Sequence, residues 1–409
     1  MSKEGLIIEF NELHSSKITK GTEFVSIVKE GEIKTYKVVD TEEKLLEYSQ
    51  KPMEYVEKLV GILVTCECKN VSALFKNTIF LEKFKIDSYS EPKIEESVYL
   101  SFNNCDFFKD IELLGGDYKR IKINDSAIRK SLFMRFINCE KSSINTSDFE
   151  GDLLFQEVNI LNDFILDKIN GNQNLIFTDC RFEGLSKLEL EVNGELDFSQ
   201  CSFYKNSEIN FDDINGKFSL YKTNFSDKCY LEYELLENKE YEPLIFENDL
   251  KKTKWNFLIV SDIYKSSGRT EQYLKTFYYF KKYERLERKS KNKDNFNFLE
   301  YLIEITTKYY TSWERTLLSM SIILVVFFIV YCIFPNLLIY KDTIITFTTV
   351  GYGDIMPLNW MKLVVSLESF LGVFFTASFV VTRDSVNNSH PNVKNNLKLI
   401  YKVIFTLNN

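Results

Sequence analysis

A chain of 409 residues has room for two or three domains, and 44% apolar with 27% charged residues fits a folded protein rather than a disordered one. Its formal net charge of -8 argues against nucleic acid as a partner, and its two histidines, His14 and His390, are too few for a histidine-based metal site. Most of the eight cysteines are single, which disfavours a metal cluster, and a cytosolic setting would keep them reduced.

No charged-then-apolar leader follows Met1, so no cleaved signal is expected. Residues 1–70 read as a small α/β cap. Phe24 to Val28 and Ile33 to Val39 are expected to form a hairpin around Gly31, and Thr41 to Leu59 is helical in character with an acid-rich start. Covering the end of a repetitive fold keeps it soluble; ligand sensing is the other reading of this segment, and no residue in it names a ligand.

Residues 71–248 read as one domain, and from Val71 to Phe225 the sequence repeats. A large apolar residue is followed three places on by a small one and two places later by another large one: Phe75, Thr78, Phe80; Phe102, Cys105, Phe107; Ile123, Ser126, Ile128; then Phe136 with Cys139; Phe155, Val158, Ile160; Phe177, Cys180, Phe182; Phe198, Cys201, Phe203; and Leu220, Thr223, Phe225. From Phe136 the starts lie 19, 22, 21 and 22 residues apart, about one coil of a solenoid. Stacked coils would align the phenylalanines in columns and bury the cysteines as small apolar residues. Cys66 and Cys68 are the nearest approach to a metal pair, but alternation along a strand accounts for them.

The units Cys105-Asp106-Phe107, Cys180-Arg181-Phe182, Cys201-Ser202-Phe203 and Thr223-Asn224-Phe225 resemble the pentapeptide repeat. That resemblance implies a right-handed parallel β-helix on the cytoplasmic side, able to engage an unknown cytoplasmic ligand or protein. The 13-residue step from Ile123 to Phe136 departs from the pattern.

Residues 249–294 are expected to form a helical linker, rich in Tyr, Phe and Lys from Thr270 to Arg288. Within 295–316, Phe298, Leu302, Ile305, Tyr309 and Trp313 recur at three- and four-residue spacing, one apolar stripe of a helix suited to a membrane interface. It reads either as a slide helix or as a plain connector.

An apolar span at 317–335 and another at 361–382, the latter with Glu368 as its one charge between Leu363 and Val381, are each about long enough to cross a bilayer. Between them lie a short helix expected at 341–348 and the sequence Thr349-Val350-Gly351-Tyr352-Gly353-Asp354. Glycines at alternate positions let successive carbonyls turn to one side, because glycine enters the left-handed region without steric cost. Four such strands around an axis would cage a dehydrated cation. This sequence resembles the selectivity filter of potassium channels. Basic residues between Lys281 and Arg315, and again from Arg383 through the tail 384–409, put both ends in the cytoplasm by the positive-inside rule.

Residues 317–383 resemble the all-α, two-transmembrane pore-loop domain of bacterial potassium channels, including those with a pentapeptide-repeat domain in front. The resemblance implies a homotetramer in the cell (inner) membrane, surrounded by lipid. Potassium would be the permeant ion at Thr349, Val350, Gly351 and Tyr352, with Gly353 completing the filter and Thr348, Asp354 and Glu368 supporting it. The second span also resembles the inner helix of inward rectifiers. On that alignment Gly372 permits bending, Thr376 faces the cavity in place of a carboxylate and implies weak block by internal polyamines, and Val380 lies near the gate. Two readings of Glu368 stay open: a polar contact behind the filter, or an interfacial acid.

The sequence therefore predicts a mixed fold and a potassium-selective channel with no other cofactor. The alternatives are a membrane-tethered scaffold with a non-conducting pore and a weakly selective cation channel. No nucleophile with its base and no phosphate loop points to an enzyme.

Overall fold

The computed structural model describes residues 22–29, 32–49, 61–66, 74–88, 98–171, 174–226, 228–232, 234–291, 298–333 and 361–387. The chain divides into two compact units, Met1–Ile259 and Val260–Asn409.

In the first unit, β1 (Phe24–Lys29) pairs antiparallel with β2 (Glu32–Val39), Phe24 opposite Lys37 and Lys29 opposite Glu32. The hairpin is the expected one, though its turn at Gly31 lies outside the described residues. Helix α1 (Glu42–Ser49) begins with Thr41, whose hydroxyl accepts from the Lys44 amide at 3.4 Å, and with two acids that suit the positive end of the helix. The other edge of β2 pairs parallel with β3 (Ile62–Val64), Lys37 opposite Ile62 and Val39 opposite Val64. The cap is thus continuous with a β-solenoid of about seven coils over residues 37–231. Its first rungs precede residue 71, because β2 and β3 carry no large-small-large unit to betray them.

Stacked apolar columns organise the solenoid core. Parallel pairing stacks Phe75, Phe102, Ile123, Ile144, Leu166, Leu188, Ile209 and Leu231 in register. A separate seven-stranded parallel sheet stacks Ile86, Leu113, Met134, Phe155 and Phe177. Here the structure corrects one expectation. Phe136 does not begin a unit: Met134 does, in register with Phe155, and Phe136 stands 36% exposed at the corner. Counted from Met134 the step to Phe155 is 21 residues, so the irregular spacing was a two-residue error of register. The short step after Ile123 has a cause too, since Ile123 and Met134 lie in different columns.

The corners explain why the motif needs its small residue. Asn77, Asn104 and Asp125 on one side, and Phe136, Glu157, Asp179, Gln200 and Lys222 on the other, all have φ between 46° and 62°. The residue after each corner points inward and is buried: Thr78, Cys105, Ser126, Ile137, Val158, Cys180, Cys201 and Thr223. Where that residue carries a hydroxyl or thiol it donates to a carbonyl within the bend, as Ser126 does to Asn124 O at 2.7 Å, or to the apolar column of the preceding coil. Thr223 Oγ1 donates to Phe198 O at 2.7 Å and Cys201 Sγ to Phe177 O at 3.3 Å. The cysteines are therefore internal packing and bonding groups. Burial pushes the Cys105 and Cys229 thiols up to about 12 and Cys139 to about 11, which leaves them protonated and unreactive.

After the last strand, α2 (Glu234–Asn238) and a turn of 3-10 helix at Glu242–Leu244 lead to α3 (Leu250–Ser266). The buried Asn256 of α3 closes the end of the solenoid. Its Oδ1 accepts from Leu220 N at 2.8 Å, and its Nδ2 donates to Phe218 O at 3.2 Å and to Leu244 O at 3.0 Å. Lys252 adds bonds to Glu195 Oε1 at 2.7 Å and Asp197 Oδ2 at 3.0 Å. Burial works against its charge, yet these acids hold its pKa above the usual lysine value. Replacing Asn256 by Ala strands the Leu220 amide and two carbonyls in an apolar setting, where each unsatisfied group costs about 1–3 kcal/mol. Asn256→Ala should destabilise this unit by about 3 kcal/mol or more, seen as a lowered denaturant midpoint, whereas Lys251→Ala, at an exposed position, should leave it nearly unchanged.

The second unit contains α4 (Thr270–Lys291), α5 (Phe298–Thr307), α6 (Trp313–Ile333) and α7 (Met361–Asn387). The apolar stripe from Phe298 to Trp313 does not form one helix. It breaks after Thr307, where Lys308, Tyr309 and Tyr310 take φ of 48°, 56° and 64°. Side-chain oxygens compete for the backbone here: Thr307 Oγ1 accepts from Tyr310 N at 3.1 Å, Thr311 Oγ1 donates to Lys308 O at 2.6 Å, and Ser312 Oγ accepts from Arg315 N at 3.4 Å to start α6.

Candidate pore domain

Two of these helices are long and apolar enough to cross a membrane. Trp313–Val330 spans 18 residues with 6% of them buried, and Lys362–Val380 spans 19 with 22% buried. The core helices of a soluble domain are mostly covered, whereas α6 leaves Leu318, Ile322, Val325, Val326 and Ile333 more than half exposed. So large a continuous apolar surface requires lipid or further protein around it.

Helix α7 has two faces. Glu368, Gly372, Phe375 and Ser378 recur at three- and four-residue spacing and are buried. Val364 and Leu371, on the same side, pack with Ile323 against Phe327 of α6. Leu363, Leu367, Phe370, Val373, Thr376 and Val380 are exposed. The structure thus separates the expected site residues. Glu368 and Gly372 lie in the stripe turned inward, while Thr376 and Val380, one turn apart, lie on the exposed face. Sequence reasoning missed Phe327, Phe375 and Ser378, although extending the three- and four-residue spacing from Glu368 would have found the last two.

The filter Thr349, Val350, Gly351, Tyr352 and Gly353, its neighbours Thr348 and Asp354, and the short helix expected at 341–348 lie outside the described residues. Between the two flanking helices, 27 residues separate Ile333 from Met361. Among the described residues no group of His, Cys, Asp and Glu can hold a metal ion.

On the approach to α6, Arg285 and Arg288 of α4 form ion pairs with Glu304 and Glu300 of α5, the rising numbers of one helix meeting the falling numbers of the other. The pair of helices is therefore antiparallel. Tyr278 and Tyr309 bring their ring centroids to 6.3 Å, and the Lys308 ammonium lies 5.6 Å from the Tyr278 ring. A cavity of about 530 Å³ lies between the helices, bounded by Phe277, Lys281, Arg288, Ile303, Tyr309 and Tyr310 among others. Helix α5 lies against α6, with Ser319 Oγ donating to Thr306 O at 3.0 Å, and α4 also packs on α7.

Residues 317–386 match a protein-family model described as ion channel. The C-terminal segment, with its two membrane-length helices, is thus an ion-channel pore domain, and a β-solenoid over residues 37–231 and a helical region precede it. No curated protein and no solved structure matches the chain.

Proposed function

We propose that the chain is one subunit of a homotetrameric potassium-selective channel of the cell (inner) membrane, with both termini in the cytoplasm. The observation that carries this reading is the Thr349–Gly353 sequence, set between two membrane-length helices inside the segment that matches an ion-channel family. One filter strand cannot surround an ion, so four copies must share an axis. Potassium sheds its water against the carbonyls of Thr349, Val350, Gly351 and Tyr352, with Gly353 at the outer mouth. Thr348, Asp354 and Glu368 brace the filter from behind. Below it, Thr376 and Val380 belong to the exposed face of α7, which suits a cavity and a gate, and Gly372 gives the helix a place to bend.

The solenoid and its linker are the regulatory part of this reading. Helix α4 packs on α7 and pairs with α5, which lies against the first span. Movement reaching α4 therefore bears on both spans. Purified chain in liposomes should pass potassium in strong preference to sodium, and removal of residues 1–265 should change open probability or assembly. Absence of flux would favour the scaffold reading, and equal potassium and sodium flux an unselective channel; either result overturns the proposal.

A further inference from the structure

Among the described residues, the junction between α5 and α6 holds the longest run of left-handed backbone. Lys308, Tyr309 and Tyr310 occupy that region in succession, where residues with side chains ordinarily occur one at a time. None is Gly, Asn or Asp, the residues that tolerate it best.

Two sets of signals in the sequence disagree over this junction. Thr307, Thr311 and Ser312 bond to the backbone and terminate one helix before beginning the next. The apolar spacing of Leu302, Ile305, Tyr309 and Trp313, however, runs straight through the break, as it would in a single helix. The conformation in the structure also leaves Tyr309 only 8% exposed with its hydroxyl lacking a hydrogen-bond partner. Burial chiefly, with Glu304 adding to it, pushes that phenol up to about 12. An unsatisfied buried hydroxyl and three strained residues in one turn mark a state that its surroundings hold in place.

We propose that residues 308–310 form a two-state hinge. In the observed state α5 is folded back on α6. In the other state the three residues adopt right-handed helical dihedrals, α5 continues into α6 as one helix, and the cavity behind Tyr309 and Tyr310 is lost. The geometric contrast is large: Thr306 and Ser319 touch at 3.0 Å in the structure, whereas 13 residues of continuous helix would separate them by about 20 Å. The proposal rests on the channel reading only for its consequence, that the hinge sets the position of the first span.

The test uses spin labels on the full chain in liposomes at Ile305 and Leu318, which are 53% and 61% exposed. Cys66, Cys68 and Cys332 are replaced by Ser, and labelled chain is diluted with unlabelled chain so that distances within one copy dominate. Tyr310→Gly and Tyr310→Val both remove the phenol and differ in their tolerance of the left-handed region. Lys308→Gly and Lys308→Val form a second pair in case the first fails to fold. Each Gly variant should enrich the short distance and each Val variant the distance near 20 Å, with a difference of roughly tenfold in population ratio. A single distance in all variants, or Gly and Val shifts in the same direction, overturns the hinge. These distances do not depend on conduction, so a chain that passes no potassium would refute the channel reading while the hinge is still tested.

Discussion

Gly351→Ala should reduce potassium flux from liposomes at least a hundredfold while four copies still assemble. A carbonyl ladder that points all its oxygens at one axis needs alternate residues in the left-handed region. A residue with a Cβ pays about 1–2 kcal/mol there, and symmetry multiplies the term to about 4–8 kcal/mol over four copies. The strand relaxes instead by turning one carbonyl away, and a potassium ion at that level loses a ring of four ligands. On the proposed tetramer the substitution leaves every surface outside the filter strand unchanged, so assembly should survive. Flux under a potassium gradient, together with the particle mass in detergent, checks both halves. Undiminished flux would mean that Gly351 lines no filter.

In the solenoid, Phe177→Ala should destabilise the N-terminal unit by about 3–5 kcal/mol, whereas Phe136→Asn should change it by no more than about 1 kcal/mol. Phe177 is fully buried, with ring centroids 4.9 Å from Phe155 and 4.8 Å from Phe198. It also meets Phe164 at 6.0 Å and Phe182 at 6.4 Å, so its removal opens a cavity against four rings. Phe136 is partly exposed at φ 55° and lies over the Arg135 guanidinium at 4.6 Å. Asn gives up that contact but suits the left-handed corner, and the two effects nearly offset each other. Denaturant midpoints of the two variants should differ clearly; equal losses would restore Phe136 to the core and shift the register back.

That register shows how far the sequence could be read. Most large-small-large units were legible because buried Phe and Cys recur at the length of a coil. The failure came where Phe136 occupied a corner that elsewhere holds Asn, Asp, Gln, Glu or Lys, while Met134 supplied the core. Hydrophobicity alone cannot tell an exposed ring from a buried one two residues away. The caps were harder still. Hairpin β1–β2 was legible from its alternation, but its fusion to the first coil depends on the free edge of β2. Asn256 looks like any polar residue in a helix until the carbonyls of Phe218 and Leu244 are placed beside it. The two membrane-length helices were plain from their length and long apolar runs. The break at Lys308 to Tyr310 was not, because the apolar stripe continues through it.

The parallel ladder of the solenoid also fixes a dimension. With neighbouring strands about 4.8 Å apart, seven coils rise roughly 34 Å, and that height cannot change unless rungs of backbone hydrogen bonds separate. The solenoid is therefore a body of set length that bends little and cannot stretch along its ladder.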